Sequence, residues 1–148
     1  MKEQTLIIIK PDGIRKKLIG ECLRRFENKG FKIKVLEVIR LKKPFMNKFY
    51  SHLKKSLRQR LFNAIVDYMC SGEVVVSVIE RKNAVLEARK ICGSTNPKKA
   101  LKGTIRGDFA TDDLIERAKH NQATRNIIHA SGSKEEAIKE IKLIKKLL

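Results

Sequence analysis

The apolar positions of this chain change period along its length, and each period predicts an element. Thr5 to Lys10 carries a continuous Leu-Ile-Ile-Ile run closed by Pro11-Asp12-Gly13, which predicts a buried strand ending in a turn. Ile19, Cys22, Leu23 and Phe26 recur at helical spacing, and Gly30 supplies a C-cap. Phe31, Ile33 and Val35 alternate with lysines, so a second strand runs to about Leu41. Two short helices follow. One presents Phe45, Phe49 and Leu53; the other presents Leu61, Ile65, Val66 and Met69 and stops at Ser71-Gly72. Val74 to Ile79 reads as another buried strand, and Asn83 is placed to cap a helix through Ile91 that ends at Gly93. Residues 92–124 are polar and rich in turn formers, with one helical stretch near Leu114 to His120. An irregular segment of that length in a small domain is usually functional or an interface. A last strand, Asn126 to Ala130, leads to a helix from Lys134 to Leu147.

This order is a split β-α-β pattern. It predicts an α/β sandwich with a mainly antiparallel four-stranded sheet and helices on one face. A parallel, flavodoxin-like sheet is the alternative. No linker, repeat or low-complexity block interrupts the chain, so one domain is expected over 1–148.

Charge narrows the partners. Thirty-four Lys and Arg against 16 acids give a formal +18, which draws polyanions: nucleotides, nucleic acid or an acidic membrane surface. A lysine-rich habit spread over solvated faces accounts for the same number. Aromatics are only 5%, so a stacking platform for single-stranded nucleic acid is absent. No apolar run is long enough to span a bilayer, and Leu6 to Ile9 is too short for a signal-peptide core. Three widely spaced cysteines form neither a disulfide framework nor a metal-ligand pattern, which points to a reducing cytoplasm.

The chemistry gathers near the C-terminus. His129 ends an apolar run just before a polar turn, at the rim of a core. An ordinary core or surface histidine is the plainer reading. Ser133-Lys134-Glu135-Glu136 has capping-box form and sets a helix N-terminus a few residues on, where the positive end of the dipole favours an anion. In that helix Ala137, Ile141, Ile144 and Leu148 form the apolar stripe, and Glu140 lies on or beside it. A carboxylate there needs a partner, and His129 is a candidate; a snorkelling, solvated Glu140 is the alternative. Lys10 at a strand end, Arg89 on a short helix and Arg106 between two glycines could together form a cationic clamp of the kind phosphoryl transfer uses. There is no P-loop, no Gly-x-Gly-x-x-Gly and no nucleophile elbow.

Four segments in order, Ile7-Ile8-Ile9-Lys10-Pro11-Asp12-Gly13, Thr95-Asn96-Pro97, Gly103-Thr104-Ile105-Arg106-Gly107-Asp108-Phe109 and Asn126-Ile127-Ile128-His129-Ala130-Ser131, resemble the nucleoside diphosphate kinase family over nearly the whole chain. The resemblance implies a ferredoxin-like fold and ping-pong transfer, in which His129 takes the terminal phosphate of a nucleoside triphosphate and passes it to a nucleoside diphosphate. It implies Mg2+ held by the nucleotide's phosphates and water, with no direct protein ligand. By the same resemblance Lys10, Arg89, Thr95 and Arg106 contact phosphate, and Lys10 and Asn126 contact the sugar hydroxyls. Tyr50 lies beside the histidine, Glu140 supports it, and Leu61 stands where the family stacks an aromatic on the base, with Phe62 next to it. A homo-oligomer is implied, a hexamer in the first place and a tetramer otherwise.

The chain departs from the family pattern at Leu61, at Gly132 in place of an aspartate, in three extra residues between Tyr50 and Tyr68, and in a longer Ala110 to Thr124 segment. A basic nucleic-acid-binding domain with lost or secondary kinase activity is the competing reading; it draws on the +18 charge and on the departures at Gly132 and Leu61.

Overall fold

A computed structural model describes the whole chain, Met1–Leu148. Four strands, β1 (Glu3–Ile9), β2 (Lys32–Arg40), β3 (Glu73–Arg81) and β4 (Ile128–Ala130), form one sheet in the order β2-β3-β1-β4. Every pairing is antiparallel, which removes the parallel alternative. The helices are α1 (Pro11–Arg15), α2 (Ile19–Asn28), α3 (Lys43–Phe49), α4 (Ser51–Lys54), α5 (Gln59–Met69), α6 (Ala84–Cys92), α7 (Ile105–Phe109), α8 (Leu114–Lys119) and α9 (Lys134–Leu147). A single 3-10 turn spans Pro97–Lys99.

Helices cover both faces of the sheet, where one face was expected. On one side Ile7, Ile9, Val75 and Ile79 pack with Cys22 and Phe26 of α2 and with Ala84, Ala88 and Cys92 of α6. On the other, Leu6, Ile8, Val74, Val76 and Val78 meet Met46, Phe49, Phe62, Val66 and Met69 of α3 and α5 and Ile144 of α9. The cause lies in the strands. A run such as Leu6-Ile7-Ile8-Ile9 has no polar alternation, so both of its faces lose water only if both are covered. β2 differs. It is an edge strand, and Leu36 and Val38 are about half exposed.

Local expectations fare unevenly. Gly30 ends α2 at φ +84°, as a C-cap requires. Asn83 does not cap α6 with its side chain; it is itself left-handed at φ +53°, and Glu3 Oε1 accepts the Val85 N–H at 2.8 Å instead. The segment after Cys92 holds two short helices, α7 and α8, capped by Thr104 and Asp113. β4 begins at Ile128, two residues later than expected, because Ile127 has φ +74° and leaves the extended region. In α9 the buried positions are Ala137, Glu140 and Ile144, while Leu148 is exposed; the glutamate stands in the stripe itself.

Candidate active site

His129 is placed by strand register. It pairs with Ile8 of β1, so its ring shares the face of Ile8 and meets the α3 side of the core. The rings of Phe49 and Tyr50 stand edge-on to it, with centroids 5.3 and 6.1 Å away. Its side chain keeps 14% exposure, enough to reach a cleft. Nε2 lies 3.0 Å from Glu140 Oε1, and Ser131 Oγ donates to the same oxygen at 2.7 Å. A carboxylate can only accept, so Nε2 carries the proton and Nδ1, which has no protein partner, keeps its lone pair. Burial pushes the Glu140 carboxyl up, but the hydrogen bonds and charge of His129, with the Ser131 hydroxyl, outweigh it and leave the carboxyl below its usual value.

The other eight expected residues divide cleanly. Lys10, Tyr50, Leu61, Arg89, Thr95, Arg106 and Asn126 line one cleft of about 390 Å³ together with His129. Glu140 lies beneath His129, outside the lining. Lys10 Nζ donates to Asn126 Oδ1 at 2.7 Å, and Asn126 Nδ2 donates to the Thr95 carbonyl at 2.9 Å. Burial of the ammonium, then the Arg106 charge, lowers the Lys10 pKa to about 8. Arg106 is 7% exposed and donates to three carbonyls: Gly93 at 2.9 Å, Asn126 at 3.2 Å and Ile128 at 2.5 Å. The buried Arg106 and the half-buried Lys10, with no carboxylate bonded to either, leave this end of the cleft fit for an anion. Arg89 is exposed and forms no ion pair within the chain.

The far end of the cleft is aliphatic. Leu53, Leu57, Leu61 and Ile65 from α4, α5 and the turn between them face Leu114 and Ala118 of α8. Phe62 does not enter; it is 1% exposed and packs in the core under α5. Arg58 Nη2 donates to the Ala118 carbonyl at 2.5 Å and ties the two walls together at the surface. The departure at Gly132 is also resolved. Its N–H goes to Glu136 Oε2 at 3.0 Å, and a Cβ at position 132 would lie 2.5 Å from that oxygen. Ser133 Oγ accepts the Glu136 N–H at 3.1 Å, so α9 has its cap while Glu136 reaches back one residue past the usual place.

Sequence reasoning missed three supporting groups. Ser131 lies inside a quoted segment but shows its role only when α9 folds back over β4. Asp12 and Tyr68 hold Ile127, whose left-handed backbone costs a β-branched residue on the order of 1–3 kcal/mol. Nothing in Asn126-Ile127-Ile128 signals that conformation locally.

Comparison with known proteins places the chain in a family. The family described as nucleoside diphosphate kinase matches residues 3–146. Nucleoside diphosphate kinase 1 of Arabidopsis thaliana is 48% identical over 141 residues, 95% of this chain and 86% of that one. The nucleoside diphosphate kinase of Methanocaldococcus jannaschii is 46% identical over 146 residues, 97% and 93% of the two chains. Among solved structures, a transition-state mimic of the Borrelia burgdorferi nucleoside-diphosphate kinase with vanadate and ADP superposes with a TM-score of 0.90 at 31% identity, over 96% of this chain and 86% of that one. The chain belongs to the nucleoside diphosphate kinase family. Both the ferredoxin-like α/β expectation and the expectation of a nucleoside diphosphate kinase hold.

Proposed function

We propose that the nucleoside diphosphate kinase activity of this chain runs through His129 as a phosphoryl carrier, and that Lys10, Arg89, Thr95, Arg106 and Asn126 bind the nucleotide. The observation that carries this reading is the contact of Nε2 with Glu140, itself held by Ser131, which commits Nε2 and leaves Nδ1 free beside a cationic cleft. In the first half-reaction the Nδ1 lone pair attacks the terminal phosphorus. The N–P bond forms as the P–O bond to the next phosphate breaks, and the nucleoside diphosphate leaves with that electron pair. The proton stays on Nε2, where Glu140 stabilises the positive ring. In the second half-reaction the terminal oxygen of another nucleoside diphosphate attacks the same phosphorus, and the electron pair returns to Nδ1. Lys10, Arg89 and Arg106 face the charge that spreads over the phosphoryl oxygens. The aliphatic wall at Leu61 packs on the base without reading its edge.

The residues present fit a magnesium ion that arrives on the nucleotide. The lining pairs three cations with one carboxylate, Glu136, which can accept from the ion's water. Carried in with the nucleotide, such an ion would supply charge shielding for the phosphates. We further propose a homo-oligomer, supported by the exposed edge of β2 with Leu36 and Val38, a ready surface for pairing with a second copy. A hexamer is the favoured size and a tetramer the alternative. The unbridged thiols of Cys22, Cys70 and Cys92 support a cytoplasmic home.

Incubation with γ-labelled ATP should give a base-stable, acid-labile label on the protein. His129→Ala should lose the label and transfer to GDP; full transfer by that variant would sink the carrier reading. Light scattering of the wild type should give a mass several times 17.0 kDa, and a monomer would remove the assembly proposal.

A further inference from the structure

Two features take no part in the phosphoryl route. One is Asp12, a carboxylate only 3% exposed with no cationic side chain bonded to it. The other is Ile127, fully buried in the left-handed region at φ +74°. They meet. Asp12 Oδ2 accepts the Ile127 N–H at 3.0 Å, and Oδ1 accepts the Tyr68 hydroxyl. The Tyr68 oxygen in turn accepts the Asp12 N–H at 3.4 Å. On its other side, the Ile127 carbonyl accepts the Lys10 N–H at 2.7 Å. The turn at Lys10-Pro11-Asp12 thus holds both backbone groups of Ile127. It comes this close because residue 13 is glycine: a Cβ there would lie 2.9 Å from the Ile127 carbonyl oxygen.

What flanks Ile127 gives the contact a purpose. Asn126, before it, holds Lys10 Nζ; His129 follows two residues later. Arg106 straddles the strained residue, with Nε on the Asn126 carbonyl and Nη2 on the Ile128 carbonyl. An Ile127 relaxed to negative φ rotates one flanking peptide away and breaks this grip. We propose that Asp12 and Tyr68 are a positioning pair: by fixing Ile127 they set Arg106 and Asn126 on one side and His129 on the other in mutual register. The proposal rests on the reading of His129 as the phosphoryl carrier.

The test measures, on the full chain, the rate of His129 phosphorylation by ATP and the exchange of the Ile127 amide. Asp12→Ala should slow phosphorylation about tenfold to hundredfold, as displacement of reacting groups does, and should deprotect the Ile127 amide. Asp12→Asn keeps an acceptor and should restore most of the rate. Ile127→Gly accepts positive φ without strain, so on that background Asp12→Ala should cost only a few fold. A role limited to fold stability gives equal losses on both backgrounds, or a folded fraction that reacts at the wild-type rate; either result overturns the proposal. If Asp12→Ala does not fold, Tyr68→Phe replaces it, with a several-fold slower rate expected; an unchanged rate and unchanged Ile127 protection overturn the pair. If the wild type takes no label, the carrier reading fails by itself. Amide exchange then decides: unaltered Ile127 protection in Asp12→Ala overturns the pair, and lost protection supports it.

Discussion

The two ends of the cleft are built by opposite means. At the proposed phosphate end most groups are tied down, the exposed Arg89 apart. Glu140 holds His129, Asn126 joins Lys10 to Thr95, and Arg106 bonds to three carbonyls drawn from two parts of the chain. At the proposed base end, aliphatic side chains from short helices face each other, and a single surface bond from Arg58 to Ala118 joins the walls. Directional contacts lose their value over small displacements, whereas apolar packing tolerates substitutions of similar volume. The departure at Leu61 therefore sits where the structure can absorb it. The one at Gly132 sits near the chemistry and comes with a compensating contact from Glu136.

This contrast ranks the effects of mutation. Glu140→Gln keeps the shape but loses the charge beneath His129. It should lower kcat by about 10- to 100-fold, in line with other outer carboxylates that orient a histidine, with KM almost unchanged in steady-state assays. An equal rise in KM would place Glu140 in binding and not in orientation. Lys10 gives the next largest effect. Its pKa is held near 8, so in the free protein it is charged below that pH and neutral above it. Bound phosphate favours the charged form. Affinity for a nucleoside diphosphate should thus fall as pH rises past 8, by up to about tenfold per unit, and titration calorimetry in two buffers should show proton uptake on binding there. Leu61→Phe should produce the smallest change. A ring stacked on the base is worth about 1 kcal/mol at the low end, or roughly a fivefold lower KM, with kcat unaffected. A large drop in kcat would show that the two ends are mechanically coupled.

The same contrast explains what the sequence could reveal. The proposed phosphate end is written in short segments whose residues meet close to where they stand, such as His129 with the following cap at Ser133. Glu140 was legible only in part: helical period put it on or beside the buried stripe with a solvated side chain still open, and the structure makes it more buried than Ile141 beside it. Cover on both faces of the sheet was also readable in the unbroken apolar runs of β1 and β3, although the element order suggested one face. Ile127 was not legible, since its conformation is imposed by a carboxylate 115 positions away. Asn83 misled because its side chain suits either a cap or a left-handed turn, and Glu3 from a distant strand decided the matter. The choice between Leu61 and Phe62 needed the direction in which α5 faces the core.

Arg106 has one more consequence, in time and not in space. A free arginine loses much of its rotational freedom each time it grips a ligand. Arg106 loses that freedom once, when the chain folds and its three carbonyl bonds form. In the proposed carrier cycle two nucleotides come to the same cleft in succession, and the fixed guanidinium would meet each of them without a search. On that reading the bonds that look purely architectural would quicken both visits of every turnover.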